Sequence, residues 1–281
     1  MLKGDNMLNY SVLMSVYVND NADYLVDSIN SMINQTIVPA EIVIIKDGPL
    51  TYDLDATLEK FEREYPKLIK IYGYEENRGL GEALKFGVLN CTNDLIARMD
   101  ADDISILDRC EKQLSIFEQD DTIDMVGGHI AEFISSQEEI VSIRKVPIFD
   151  NSIKENMKYR CPFNHMTVMF KKKSVLKSGN YDSWFWNEDY YLWIRMMQNN
   201  CSFRNVDKIL VNVRIGKEMF KRRGGKKYFQ SERKLQKYML NNGIINFHTY
   251  LINVSKRWIV QCLLPNNVRA LVFKRFAREN V

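Results

Sequence analysis

Ala97-Arg98-Met99-Asp100-Ala101-Asp102-Asp103 is the stretch on which the reading of this chain turns. The apolar run Leu95-Ile96-Ala97 leads into three carboxylates within four positions, the appearance of a buried strand that ends in a metal site. Carboxylates two residues apart on a chain leaving a strand can reach one point, where a hard divalent cation would hold them together. Such a cation fills its remaining positions with water and the phosphates of a bound nucleotide. An acidic turn that only caps the next helix has the same local sequence, so the surrounding chain has to decide.

Working outward, short apolar runs alternate with helical periodicity. Val12-Leu13-Met14-Ser15-Val16 and Ile42-Val43-Ile44-Ile45 read as buried strands, the second ended by the turn signature Asp47-Gly48-Pro49. Between them, after Asn19 to Asn21, Leu25, Ile29, Met32 and Ile33 recur at helical spacing. Leu68 to Tyr74 reads as a third strand, Leu80 to Leu89 as a helix opened by Asn77-Arg78-Gly79, and Leu95 to Met99 as a fourth strand. Leu107, Cys110, Leu114 and Phe117 mark the helix that follows. This alternation predicts an α/β fold with crossover connections and a mostly parallel sheet covered on both faces. Ligands of such sheets bind beyond the carboxyl ends of the strands, where Tyr17, Asp47 and Asp100 to Asp103 all fall. Three separate strands thus deliver polar groups to one edge. In the second half, Met125 to Phe133 reads as a strand interrupted by Gly127-Gly128, and Met166 to Phe170 as another. Asn187 to Met196 reads as a helix with acidic residues in its first turn.

The 281 residues, 46% hydrophobic and 27% charged, suit one large domain with an appendage rather than a disordered chain. Five scattered cysteines, odd in number and without a C-x-x-C pair, argue against a disulfide framework or a zinc site and suit a reducing cytoplasm. Met1 to Asn6 lacks the apolar core of a signal peptide, and no uncharged apolar stretch is long enough to span a bilayer. The net charge of +3 conceals a division: residues 1–216 carry 24 Lys and Arg against 33 Asp and Glu, residues 217–281 carry 15 against 3. A basic tail on an acidic body implies an anionic partner for the tail.

Taken in order, Ser15-Val16-Tyr17, Ser31 to Gln35-Thr36, Ile42 to Pro49, Asn77 to Leu80, Arg98 to Asp103, and Glu188-Asp189 followed by Leu192-Trp193-Ile194-Arg195 resemble the family 2 glycosyltransferases. Those of bacterial capsule, exopolysaccharide and O-antigen synthesis are the most similar, and the resemblance runs from about Tyr10 to Arg223. It implies a GT-A catalytic domain over 1–216, with a nucleotide-sugar half at about 10–103 and an acceptor half at about 104–216, followed by a basic loop and helical tail over 217–281. By the same resemblance Val16, Tyr17, Asp47, Arg78, Asp100, Ala101 and Asp102 meet a UDP-sugar, with Asp47 accepting from the imide N–H of uracil. Asp102, helped by Asp100, would ligate Mg²⁺ or Mn²⁺ and neutralise the leaving diphosphate. Asp189, with Glu188 as second choice, would be the base that takes the acceptor proton opposite the leaving group, giving inversion. N-capping of the helix by the same two acids is the structural alternative.

Two departures stand out. Val18 follows Tyr17 where many relatives have Asn, and Val211 to Gly216 lacks the His that often completes the metal site. His165 is a candidate for the acceptor site only. The segment Lys221 to Lys227 joins two glycines to five cations, so Arg222 and Arg223 could close over the pyrophosphate. Beyond it Tyr250, Leu251, Val254, Trp258, Ile259, Cys262 and Leu263 form an apolar helical stripe beside Lys256 and Arg257, continued by Val268, Leu271, Val272 and Phe276. That pattern suits either a helix in an anionic membrane interface or one packed on its own domain. The expected acceptor, a polyprenyl-diphosphate-linked glycan, favours the membrane and a place on the inner face of the cytoplasmic membrane. The competing functions are a sugar nucleotidyltransferase, which lacks its phosphate loop here, and a non-catalytic nucleotide-sugar binder. Nucleic acid is not an expected partner, because the acidic body would repel it.

Overall fold

A strand at Tyr10–Val16 (β1) forms the middle of the computed structural model, which describes residues 8–216 and 224–265 together with 268, 269 and 278. It pairs in parallel with β2 (Glu41–Asp47) on one side and β4 (Leu95–Met99) on the other, and β2 pairs in parallel with β3 (Ile69–Tyr74). Each is reached through a helix: α1 (Ala22–Ile33), α2 (Tyr52–Glu64) and α3 (Leu80–Asn90). The near-continuous apolar runs follow from burial on both faces. In β1, Val12, Met14 and Val16 join the cluster beneath α1, α2 and α4 (Arg109–Gln119), while Leu13 joins the opposite cluster under α3. Helix starts obey their caps: the Asn21 side chain accepts from the Tyr24 N–H, and Thr51 does the same for Leu54.

Beyond β4 the sheet changes direction. The strand β8 (Met169–Lys171) runs antiparallel to both β4 and β6 (Ile123–Phe133). The 13-residue β9 (Ser202–Arg214) lies parallel to β6 and antiparallel to the two-residue β5 (Ile104–Ser105), and β7 (Ile140–Arg144) hangs on β6. The fold is therefore α/β with a mostly parallel central sheet, as expected. Two local expectations need correcting. Gly127-Gly128 does not interrupt β6; the strand continues, with its register against β9 shifting at Gly128 and His129. There a Cβ on Gly127 would come within 2.5 Å of Asn205 and one on Gly128 within 2.5 Å of Leu210, so the glycines permit close strand approach. Met166 to Phe170 is not one strand either: His165–Thr167 is a 3-10 turn, followed by β8.

Helices α5 (Asp150–Met157), α6 (Lys172–Lys177) and α7 (Glu188–Gln198) cover the second face, with Trp193 fully buried at its centre. Two further helices, α8 (Lys226–Asn241) and α9 (Phe247–Trp258), pack on this same body. Leu235 and Met239 of α8 enter the core with Trp193, and Asn253 of α9 donates to the Lys158 carbonyl at 2.9 Å. The basic segment with Arg222 and Arg223, and Leu271, Val272 and Phe276 of the apolar stripe, lie outside the described residues.

Candidate active site

The loop that leaves β4 is held in place by α1 and the residues just after it. Ser28 Oγ donates to the Asp100 carbonyl at 2.6 Å, and Ser31 Oγ accepts from the Ser105 N–H at 3.0 Å. Gln35 Nε2 donates to the Ile106 carbonyl at 2.9 Å, and the Thr36 N–H to that of Leu107 at 3.0 Å. The polar segment Ser31 to Thr36 thus fixes the backbone on which the three acids sit. Carboxylate oxygens of Asp100, Asp102 and Asp103 come within 4.8 Å of one another. An all-oxygen set so close fits a hard cation such as Mg²⁺ or Mn²⁺.

The three acids are not equivalent. Asp100 pairs with the buried guanidinium of Arg98, whose Nε and Nη1 have no hydrogen-bond partner among the described residues. Asp103 is buried and accepts from the Arg214 N–H at 2.9 Å, and burial together with its acidic neighbours raises its pKa well above the usual value. Asp102 opens to the cleft, and desolvation beside Asp100 pushes its carboxyl up to about 6. Two anions crowded in this way are costly without a cation between them.

Asp100, Asp102, Asp103 and Asp189 line one cleft of about 930 Å³. Asp189 is the second residue of α7, half-buried, with one oxygen accepting from the Tyr190 N–H at 2.7 Å. Burial raises its pKa, while that backbone donor and Arg98 pull it down. Glu188 does not line the cleft. It is buried, and burial with Asp189 beside it pushes its carboxyl up to about 7. The turn ahead of α7 is fastened by α8: Ser231 Oγ donates to the Phe185 carbonyl at 2.5 Å and contacts Asn187 Nδ2 at 3.2 Å. Trp186, at φ 57°, also lines the cleft, in a left-handed conformation that a bulky side chain adopts only under constraint from the fold.

Val16, Tyr17, Asp47 and Arg78 lie at neighbouring strand ends and are not among the residues that line this cleft. Val16 is buried at the end of β1, and the Tyr17 N–H donates to Asp20 at 2.9 Å. Asp47 ends β2 with both oxygens engaged: Oδ1 accepts from Tyr74 Oη and the Arg78 N–H, Oδ2 from Asn77 Nδ2 and the Gly79 N–H. Its carboxylate therefore organises the Asn77-Arg78-Gly79 turn. Arg78 is exposed, with its guanidinium 4.6 Å from the Tyr74 ring centroid. Ala101 is buried between the acids, and His165 lines the cleft while contacting Tyr181 Oη at 2.9 Å. Burial and the nearby Arg98 hold the pKa of His165 well below its usual value. Sequence reading passed over Arg98 and Arg214. The Arg214 guanidinium reaches the Asp102 carbonyl at 3.3 Å and Asp27 at 3.2 Å, and it stacks 3.8 Å from the Tyr24 ring centroid. Its one signal in the sequence is its place in Val211 to Gly216, where relatives often carry a histidine.

A family model described as "Glycosyl transferase family 2" matches residues 11–178. The chain is 35% identical to the UDP-Gal:alpha-D-GlcNAc-diphosphoundecaprenol beta-1,3-galactosyltransferase of Escherichia coli, over 98% of each chain. It is also 35% identical to the amylovoran biosynthesis glycosyltransferase AmsE of Erwinia amylovora, covering 95% of this chain and 98% of that one. The O-antigen biosynthesis glycosyltransferase WbnJ of Escherichia coli is 33% identical over 89% of this chain and 96% of its own length. Among solved structures, S. aureus TarS 1-349 in complex with UDP-GlcNAc superposes with a TM-score of 0.63 at 16% identity, covering 90% of this chain and 73% of that one. The mannosyltransferase PcManGT of Pyrobaculum calidifontis superposes with a TM-score of 0.64 at 12% identity, covering 97% and 76%. At these identities the two structures bear on the fold alone.

Proposed function

The chain belongs to glycosyl transferase family 2, and on that premise we propose that it transfers a hexose or N-acetylhexosamine, with inversion, from a UDP-sugar to a polyprenyl-diphosphate-linked glycan in bacterial surface polysaccharide synthesis. The observation that carries this reading is one cleft shared by the acidic cluster and Asp189. Asp102 and Asp100 would hold Mg²⁺ or Mn²⁺, which when bound supplies positive charge to the departing diphosphate. Asp189 takes the proton of the acceptor hydroxyl; its partial burial favours this by moving its pKa toward working pH. Glu188, buried behind it, is a positioning group in this reading. Arg98 sits beneath both acidic sets and offsets their mutual repulsion. For uracil to donate to Asp47, one present donor has to yield, and Asn77 Nδ2 at 3.1 Å is the longest of the four contacts. Tyr17, Val16, Arg78 and Ala101 complete the nucleotide-sugar contacts, and Arg222 and Arg223 would cover the pyrophosphate.

Membrane contact belongs to the same proposal. Leu251, Trp258, Ile259 and Leu263 are exposed along α9 and the π-helical turn Ile259–Leu263 that continues it, beside Lys256. Such an edge suits the anionic inner surface of a cytoplasmic membrane, where a lipid-linked acceptor resides. Among the described residues, no helix is long and apolar enough to cross it. Transfer is tested with UDP-galactose, UDP-N-acetylgalactosamine, UDP-glucose and UDP-N-acetylglucosamine against a synthetic N-acetylglucosaminyl diphosphate lipid. The expected result is metal-dependent use of one donor and a β-linked product by NMR. An α-linked product, or a donor consumed only from another nucleotide, contradicts the reading.

A further inference from the structure

The cleft continues past Asp189 onto a wall of opposite charge. Arg144, Arg160, Lys256 and Arg257 line it, with Glu232 as the one carboxylate among them. These residues come from distant parts of the chain but are gathered around a single segment, Lys158 to Cys161. Asn253 Nδ2 donates to the Lys158 carbonyl and Arg257 Nη2 to that of Tyr159, both at 2.9 Å, and Arg144 Nη2 donates to that of Cys161 at 3.0 Å. Arg160 is therefore carried between two clamped neighbours. Glu232 is ion-paired with Arg257, which holds α9 against α8. On the other side, Cys161 Sγ lies 3.9 Å from Asp189 Oδ2, so the basic wall begins one residue from the proposed base.

We propose that this wall is the subsite for the diphosphate of the acceptor, holding it about one sugar ring away from the hydroxyl that Asp189 deprotonates. The proposal rests on the lipid-linked acceptor of the preceding section and deepens it: the sugar that receives the transfer is the one attached to the diphosphate. Guanidinium and ammonium groups lining one stretch of a cleft suit a phosphate, and several of them match the charge of a diphosphate better than that of a single carboxylate ligand. The same helix that supplies Lys256 and Arg257 presents Leu251 and Trp258 to solvent, so an isoprenoid leaving the diphosphate has an apolar edge to follow.

The full chain is titrated with farnesyl diphosphate in EDTA, which removes any metal-bridged binding at the acidic end. Farnesol, inorganic pyrophosphate and phosphatidylglycerol vesicles serve as competitors, and the double variant Arg160→Ala/Lys256→Ala is compared with wild type; both side chains are exposed. The expected result is tighter binding of farnesyl diphosphate than of farnesol, displacement by pyrophosphate, and at least about a tenfold loss in the double variant. UDP affinity in Mn²⁺ should be unchanged in that variant, and the single Arg160→Gln should lose an intermediate amount. Equal affinity in wild type and double variant overturns the subsite. So does displacement by vesicles without displacement by pyrophosphate, which would assign the wall to a membrane headgroup. Failure of both proteins to bind UDP would remove the donor reading while leaving the metal-free result intact, so the two failures are distinguishable.

Discussion

The four strands between Tyr10 and Met99 pair with one another only in parallel and follow each other through single helices, whereas between Ile104 and Arg214 the pairings are mixed. The acidic cluster stands on the first kind of structure and Asp189 on the second. Its donor side is pinned within the parallel strand group, by four hydrogen bonds from α1 and the residues just after it to the loop after β4, and by four donors to Asp47. On the acceptor side, the base depends on a turn fastened by Ser231 of α8, a helix that follows all the strands and belongs to neither group. The contrast teaches that donor binding and base placement are separable: damage to one half should leave the other's chemistry measurable.

The sharpest break between the halves is Asp189→Asn. It should lower transfer by about 10³-fold while UDP affinity stays within about twofold, because general base catalysis contributes roughly 10²–10⁴; near-normal turnover would assign the base elsewhere. The mirror experiment, Asp102→Ala, should weaken metal-dependent UDP binding by about 10²-fold with the melting temperature little changed, as calorimetry and thermal melting can check together. A smaller effect is expected at the apolar edge. Leu251→Gln/Ile259→Gln should reduce binding to anionic vesicles by about tenfold and leave UDP affinity alone; unchanged sedimentation with vesicles would remove the membrane contact.

Glu188 gives a test by pH. Its carboxyl is raised from 4.5 to about 7, so the folded state holds the proton more tightly than the unfolded chain. Stability from this group is therefore present below about 4.5, declines as pH rises toward about 7, and is flat above it. Glu188→Gln should match wild type near pH 4.5 and exceed it by about 3 kcal/mol at pH 8 in urea unfolding. A difference independent of pH would mean that Glu188 is not held protonated in the fold. The smallest effect is expected for Ser231→Ala, a few-fold lower kcat with an unchanged KM for the donor. A changed UDP affinity instead would couple α8 to the donor half.

The same contrast governs what could be read without coordinates. β1, β2, β3, β4 and α3 were recognisable because each is a local apolar run or stripe bounded by a turn, and because a sheet buried on both faces leaves little ambiguity. α2 went unnoticed among its charges although Leu54, Leu58 and Phe61 fall at helical spacing behind the Thr51 cap. β9 was hidden because exposed Asp207 and Lys208 break its alternation where the register against β6 slips. The carboxylates were recognisable as chemistry, being three acids after a strand. Arg214 and Ser231 were not, since their roles come from contacts made across the fold, and the burial that makes Arg98 the partner of Asp100 is not written in its neighbours. For the tail, an apolar stripe fits membrane and domain packing alike. The structure packs Leu235, Met239 and Asn253 inward and leaves Leu251 and Ile259 outside.

The most direct measurement is a calorimetric titration of the full chain with UDP, with and without Mn²⁺, repeated with GDP, CDP and dTDP. UDP should bind tightly only when the metal is present, and more tightly than the other three. No binding of any nucleoside diphosphate under either condition would mean that Asp100, Asp102 and Asp103 form no more than an acidic turn, and would contradict the assignment of a metal-assisted donor site.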